Sequence, residues 1–119
     1  MDKLERIFEM QKQLDDDITK RRNLEHLSME EWIQKDVLAM IAELGELLDE
    51  VNFKWWKNKK PVDGAALKEE LVDVLHFFIS MCIRSGMSAD ELYSVYCQKN
   101  QENHDRQEGV SKKPGYAPQ

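Results

Sequence analysis

Long stretches of helical periodicity, separated by very few helix-breaking residues, constrain this chain more than any other feature of its sequence. The 119 residues include only five glycines and three prolines, and these cluster between the periodic segments. Within the segments, apolar residues recur three or four positions apart, which is the spacing of one face of an α-helix. The pattern predicts an all-α fold, and the length of the chain predicts a single domain.

Capping signals indicate where three of four predicted helices begin. Ser28 and Ser88 each stand three residues before a glutamate, which is the capping-box pattern. Asp63 is an N-cap for a further helix, after the breaker Pro61. Short loops between long helices favour an antiparallel four-helix bundle. The predicted helices cover about residues 2–21, 28 to 51–57, 63–84 and 88–107, in a domain of residues 1–108 that a polar tail, residues 109–119, follows.

The charge and hydropathy of the chain limit its partners. Its formal net charge is −6, and we find no dense stripe of Lys and Arg to offset it, so we expect no nucleic-acid-binding surface. No apolar run approaches the ~20 residues of a membrane span, and the charged N-terminus does not resemble a signal peptide. These features predict a cytoplasmic protein that does not bind membranes.

Two groups of acidic residues raise the main functional question. Glu43, Glu46 and Glu50 lie within about 60° of one another on the second predicted helix, beside its apolar stripe. Glu70 and Asp73 share a face of the third helix, which is apolar almost all round, so we expect the Asp73 carboxylate to be buried. Antiparallel packing would bring the two groups together, where they would need a cation such as Mg²⁺. The same spacing also occurs on solvated helix faces.

The spacing of these acids resembles a known signature. Glu43-x-x-Glu46 followed by Glu70-x-x-Asp73 is similar to the signature of the all-α nucleoside triphosphate pyrophosphohydrolases, which include MazG-type enzymes and the dimeric dUTPases. The segments AELGELLDEVNFKWWK and EELVDVLHFFISM look like the dimeric dUTPase branch, and the similarity covers roughly residues 4–109. It implies a four-helix bundle of the MazG/dimeric dUTPase type that homo-oligomerisation completes, as a homodimer or a dimer of dimers.

The reaction that the resemblance implies is Mg²⁺-dependent hydrolysis of a nucleoside triphosphate between its α and β phosphates, with Mn²⁺ able to substitute. The expected substrate is dUTP, which would yield dUMP and pyrophosphate; the alternatives are dCTP or a broad range of non-standard dNTPs. Glu43, Glu46, Glu70 and Asp73 would bind the metal, and Glu50 is a further candidate ligand. Glu43 or Glu46 would accept the proton of the attacking water. A non-enzymatic alternative is a helical interaction module with an acidic face.

Four basic or amide side chains are candidate phosphate contacts. Lys99, Asn103 and Arg106 recur at i, i+4 and i+7 of the fourth predicted helix, so they share one face. Arg offers a bidentate fork to phosphate and Lys a point charge. The resemblance implies phosphate binding by this face, whereas composition alone is also typical of a solvated basic stripe. Lys54 is open to the same two interpretations.

The candidate base contacts are Gln11, Trp55, Trp56 and His76. Gln11 lies on the apolar stripe of the first helix, where its amide needs a partner, and the resemblance suggests that it reads the base edge. Adjacent tryptophans cannot both face the core, so one would stack on a base or line a pocket or interface, unless the pair caps the bundle. His76 either contacts the ligand or is a hydrogen-bonded core histidine.

Overall fold

The computed structural model describes residues 1–111, and within that range its regular secondary structure consists of four α-helices without a strand. This confirms the predicted all-α class. Part of the predicted tail, residues 112–119, lies outside the described residues. The helices are α1 (Lys3–Arg21), α2 (Met29–Glu50), α3 (Gly64–Arg84) and α4 (Ala89–Glu108).

The predicted caps begin α2, α3 and α4. Ser28 Oγ accepts a hydrogen bond from the backbone N–H of Glu31, whose carboxylate accepts from the Ser28 N–H in return, so the capping box is complete. Asp63 accepts from two backbone N–H groups of the first turn of α3, and Ser88 from one of α4. Each such cap stabilises its helix by about 0.5–2 kcal/mol. The sequence signals therefore located these helix starts correctly.

The end of α2 corrects the prediction that this helix reaches residue 51–57. The helix ends at Glu50, and Asn52 adopts a left-handed φ of 57° that a continuing α-helix does not accommodate. The Asn52 side chain donates to the Lys60 carbonyl at 2.9 Å and accepts from the Lys60 N–H at 2.8 Å, which closes the loop. The aromatic block 53–56 consequently lies in this loop.

The chain divides into two compact units, Met1–Gly86 and the part that begins at Met87. In the first unit, α3 packs against both α1 and α2. Phe8, Ile79 and Cys82 are its buried apolar side chains. The second unit contains α4, which ends at Gly109 with a left-handed φ of 76°. The predicted boundary between one domain and its tail stays a prediction.

Large apolar side chains of the first unit are exposed along its helices, most of them on α2 and α3. Apolar residues rarely remain uncovered in such numbers on a monomeric protein. No single helix within residues 1–111 is both long and apolar enough to cross a membrane. The large apolar residues exposed by 41–68% on these two helices include Val37, Leu38, Ile41, Leu44 and Leu48 on α2 and Leu71, Val72, Leu75 and Phe78 on α3.

Candidate active site

Three of the four acids expected to bind metal converge in the first unit. Glu43, Glu46 and Glu70 each present a carboxylate oxygen, and these three oxygens all lie within 4.8 Å of one another. Glu43 and Glu46 stand about one turn apart on α2, so they share a face, and the packing of α3 on α2 brings Glu70 to them. Glu43 and Glu70 are half-buried, whereas Glu46 is exposed.

The three carboxylates repel one another. Oε2 of Glu43 and Oε2 of Glu70 are shielded from solvent and have no hydrogen-bond partner within residues 1–111. Loss of hydration and the neighbouring carboxylates of Glu43, Glu46 and Asp73 raise the pKa of Glu70 to about 7. Unpartnered carboxylate oxygens at this spacing fit a hard divalent cation, because Mg²⁺ prefers oxygen ligands.

Asp73 and Glu50 lie outside the converging oxygens. Asp73 is about one turn beyond Glu70 on α3, and its charge contributes to the raised pKa of Glu70. The Asp73 side chain is exposed, which corrects the expectation that it is buried. The reason is that part of the apolar surface of α3 is uncovered in this chain. Glu50 is half-buried on α2 and does not join the three acids.

A cavity of about 460 Å³ adjoins the carboxylates, and α1, α2 and α3 all contribute to its wall. This volume is within the range of small-molecule sites. Glu43 and Asp73 belong to the lining, which connects the acidic cluster to the rest of the cavity. The remaining polar or aromatic lining residues are Gln11, Asp15, Trp32, Asp36, His76, Phe77, Ser80 and Arg84.

A hydrogen-bonded network joins α1 to α3 at the cavity wall. Gln11 Nε2 donates to Asp15 Oδ1 at 2.9 Å, and Ser80 Oγ donates to Asp15 Oδ2 at 2.8 Å. Because an ionised carboxylate only accepts, these bonds orient the Gln11 amide so that its Oε1 faces His76 Nδ1, 2.6 Å away. His76 therefore carries its proton on Nδ1 and donates it to Gln11. The network holds Gln11 in one orientation.

A second polar group, Arg84 with Asp36, lies in the same wall. The Arg84 guanidinium carbon lies 3.8 Å from the ring centre of Trp32, and Nη2 donates to Thr19 Oγ1 at 3.4 Å. Arg84 Nε and Asp36 Oδ2 are buried without a hydrogen-bond partner in the described part of the chain. Burial and the nearby Asp15 charge raise the pKa of Asp36, against the opposing effects of Arg84 and of the Ser80 hydroxyl.

The four predicted base contacts fall into two places. Gln11 and His76 bond each other and line the cavity. Trp55 and Trp56 do not line it; they lie in the loop after α2, where they are 84% and 59% exposed. Their rings meet edge to face with centroids 5.4 Å apart. The structure therefore does not place the tryptophans beside Gln11.

The predicted phosphate contacts belong to two different units. Lys54 Nζ lies 3.9 Å from Asp49 Oδ1, and Lys54 lines a smaller cavity of about 270 Å³ beside the loop after α2. Lys99 and Asn103 are exposed on α4, in the second unit. Arg106, on the same helix, forms an ion pair with Glu102 in which Nε and Oε1 are 3.3 Å apart.

Five residues of the cavity wall were not predicted from the sequence. Helical spacing could have found two of them, because Asp15 follows Gln11 by four positions and Ser80 follows His76 by four. Asp36 precedes Glu43 by seven positions, or about two turns, and so shares its face of α2. The stacking partners Trp32 and Arg84 gave no local signal.

Comparison with known proteins shows three sequence relatives and one family. The dUTPase family matches residues 3–88, which include α1, α2 and α3. A dCTP pyrophosphatase of Enterobacteria phage T4 is 30% identical over 88 residues, which cover 62% of this chain and 52% of that protein. A dCTP pyrophosphatase of Enterobacteria phage LZ5 is 35% identical over 75 residues, which cover 63% of this chain and 44% of the relative.

A third relative is a DNA replication protein of Enterobacteria phage T4, 29% identical over 80 residues, which cover 56% of this chain and 20% of that protein. The chain thus spans about half the length of the two pyrophosphatases it matches. No solved structure matches the chain significantly.

Proposed function

This chain belongs to the dUTPase family, and we propose on that premise that it is a Mg²⁺-dependent pyrophosphohydrolase of deoxynucleoside triphosphates. The observation that carries the proposal is the convergence of Glu43, Glu46 and Glu70 oxygens within 4.8 Å of one another, beside a cavity of about 460 Å³. The carboxylates would bind the metal, and the cavity would bind the nucleoside.

The proposed metal ligands are Glu43, Glu46, Glu70 and Asp73, with Glu50 as a further candidate. Bound Mg²⁺ would neutralise phosphate charge and supply an activated water for cleavage between the α and β phosphates; Mn²⁺ could replace it. Glu43 or Glu46 would accept the proton of that water. The unpartnered oxygens of Glu43 and Glu70 support this assignment, because a hard cation would satisfy both.

The remaining side chains would position the nucleotide. Gln11 and His76, which the network with Asp15 holds in place, are the proposed base contacts inside the cavity. Trp55 and Trp56 would contact the base only if the loop after α2 reached it. Phosphate binding is proposed for Lys54, Lys99, Asn103 and Arg106.

Self-association is part of the proposal. The exposed apolar side chains of α2 and α3 would be covered in a homodimer or a dimer of dimers, as the hydrophobic effect favours. Light scattering after gel filtration would measure the mass. A monomer of the 14.0 kDa chain at micromolar concentration would contradict this part of the proposal.

Two substrates are supported by separate findings. The description of the family favours dUTP, and the names of the two phage relatives favour dCTP. Either nucleotide would be hydrolysed to its monophosphate and pyrophosphate, in the cytoplasm. A broad range of non-standard dNTPs is the remaining enzymatic alternative.

The test is a pyrophosphate-release assay with Mg²⁺ and a panel of dUTP, dCTP, dTTP, dATP and dGTP. We expect release from at least one pyrimidine nucleotide and its loss when EDTA replaces Mg²⁺. No release from any triphosphate would favour the alternative of a non-enzymatic interaction module.

A further inference from the structure

Asp36 has an unusual environment for a carboxylate. Asp36 is only 7% exposed and lines the cavity. Its Oδ2 has no hydrogen-bond partner within residues 1–111. A buried polar atom without a partner is costly, so such an atom in a native protein calls for an explanation, and a bound molecule is one. Because Asp36 lines the cavity, a ligand bound there is the natural source of that partner.

The neighbouring groups do not satisfy Asp36 Oδ2. The two oxygens of Asp15 already accept from Gln11 and Ser80. The amide of Gln11 is held between Asp15 and His76. Arg84 stacks on Trp32, and its Nε is itself buried without a partner. Apart from the acidic cluster, the unpartnered buried atoms of residues 1–111 are thus an acceptor on Asp36 and a donor on Arg84.

The charges of the wall indicate which ligand edge fits. Four carboxylates, Asp15, Asp36, Glu43 and Asp73, line the cavity with one guanidinium, Arg84. The N3–H of uracil lies between two carbonyl oxygens. If a carboxylate accepted a hydrogen bond from this N–H, both carbonyl oxygens would lie close to the carboxylate and be repelled by it. The amino group of cytosine has two N–H donors and has only one acceptor, N3, beside it. A wall rich in carboxylates therefore favours the amino group.

We infer that Asp36 and Arg84 form a base-reading pair, in which Asp36 accepts from the exocyclic amino group of cytosine and Arg84 Nε donates to an adjacent acceptor of the base. The inferred substrate class is thus an amino-bearing pyrimidine nucleotide, dCTP in preference to dUTP. Asp36 acts as a specificity-determining residue and takes no part in the proposed chemistry at phosphorus. The inference rests on the proposed function for the identity of the ligand as a nucleotide.

The experiment compares kcat/KM for dCTP and dUTP in the full chain and in Asp36→Asn. An asparagine amide can turn its NH₂ toward the uracil O4, so the variant should lower the dCTP/dUTP ratio of kcat/KM about 10- to 100-fold. The matched control is Asp17→Asn, which removes an exposed carboxylate from α1 and should leave the ratio unchanged. An unchanged ratio in Asp36→Asn, or a wild-type preference for dUTP, would overturn the inference.

A modified nucleotide tests the contact between Asp36 and the amino group in the wild-type protein, so the result does not depend on whether a variant folds. The 2-pyrimidinone deoxynucleoside triphosphate has hydrogen in place of the amino group, so the wild-type kcat/KM should fall about tenfold or more relative to dCTP. Equal kcat/KM for the two nucleotides would contradict an amino contact at Asp36.

Calorimetric binding separates failure of this inference from failure of the proposed function. The ligands are α,β-imido-dCTP and α,β-imido-dUTP, which are not hydrolysed, with Mg²⁺ present. Tighter binding of the cytosine analogue, together with no pyrophosphate release from dCTP, would sustain the inference and remove the proposed enzymatic function. Hydrolysis of both dCTP and dUTP, together with equal binding of the two analogues, would sustain the proposed enzymatic function and overturn the inference about Asp36.

Discussion

Acidic side chains in the carboxylate cluster and in the polar network of the cavity wall differ in whether hydrogen-bond donors surround them. Glu43, Glu46 and Glu70 converge with no donor for the buried Oε2 of Glu43 or of Glu70. Asp15 is far more buried, at 8% exposure, yet both its oxygens accept hydrogen bonds from side chains. The difference teaches that burial alone does not identify a metal ligand. The absence of donors around several converging oxygens is the better indicator.

The largest expected effect tests the cluster. Replacing Glu46 with Gln should lower kcat/KM for pyrophosphate release more than about 100-fold, because an amide oxygen is a weak substitute for a metal-binding carboxylate. The fold should persist, since Glu46 is exposed. Asp49→Asn, an exposed acid of the same helix, is the control. Full activity in Glu46→Gln would show that Glu46 does not bind the metal.

The next effect tests the network. Gln11→Ala should lower kcat/KM about tenfold and reduce the free energy of unfolding by about 1–3 kcal/mol, because Asp15 Oδ1 and His76 Nδ1 both lose their partner. Chemical denaturation and steady-state kinetics would measure both quantities. Gln13→Ala, at an exposed position of α1, should change neither. Equal stability of the two variants would remove the structural role of the network.

A smaller effect is expected from the other donor to Asp15. Ser80→Ala should cost about 1–2 kcal/mol of unfolding free energy, since Asp15 Oδ2 would remain buried with no donor. Ser85→Ala is the comparison, because the Ser85 hydroxyl donates only to the Cys82 carbonyl of its own helix. Thermal or urea unfolding would rank the two, and a larger loss in Ser85→Ala would contradict this reasoning.

The smallest effect is a pH dependence of the metal-free protein. The pKa of Glu70 is raised from 4.5 to about 7 in the folded chain, so the folded state holds a proton that the unfolded state releases between these pH values. Stability therefore falls as pH rises from about 5 to 8, and Glu70→Gln should be relatively more stable than wild type at pH 8. Melting temperatures in EDTA at both pH values would measure this. Added Mg²⁺ should restore the stability that wild type loses at high pH. A difference in melting temperature between wild type and Glu70→Gln that is the same at both pH values would contradict this prediction.

Much of the fold could be predicted because its signals are local. A cap and its first turn lie within four residues, so Ser28, Asp63 and Ser88 indicated three helix starts. The pairing of Glu43 with Glu46 follows from helix geometry in the same way. The end of α2 was predicted less accurately than the helix starts, since it depends on a contact between Asn52 and Lys60 across the loop.

The cavity network could not be predicted, for a physical reason. Gln11 meets His76, and Asp15 meets Ser80, across 65 positions of sequence. Such pairs depend on the axial register of α1 against α3, which side-chain packing decides over the whole contact. The exposure of Asp73 likewise depends on which part of α3 other helices cover, and the periodicity of α3 does not predict this.

The sequence by itself determined the helices, their caps and the faces on which the acids lie, because backbone hydrogen bonding within a helix and its 3.6-residue period act over a few residues. Tertiary structure alone decided that Glu70 joins Glu43 and Glu46. It also decided that Asp15 accepts hydrogen bonds through both oxygens, and that Asp36 lines the cavity with its buried Oδ2 unpartnered within residues 1–111. These outcomes require helices distant in sequence to dock in one register, which no local pattern encodes.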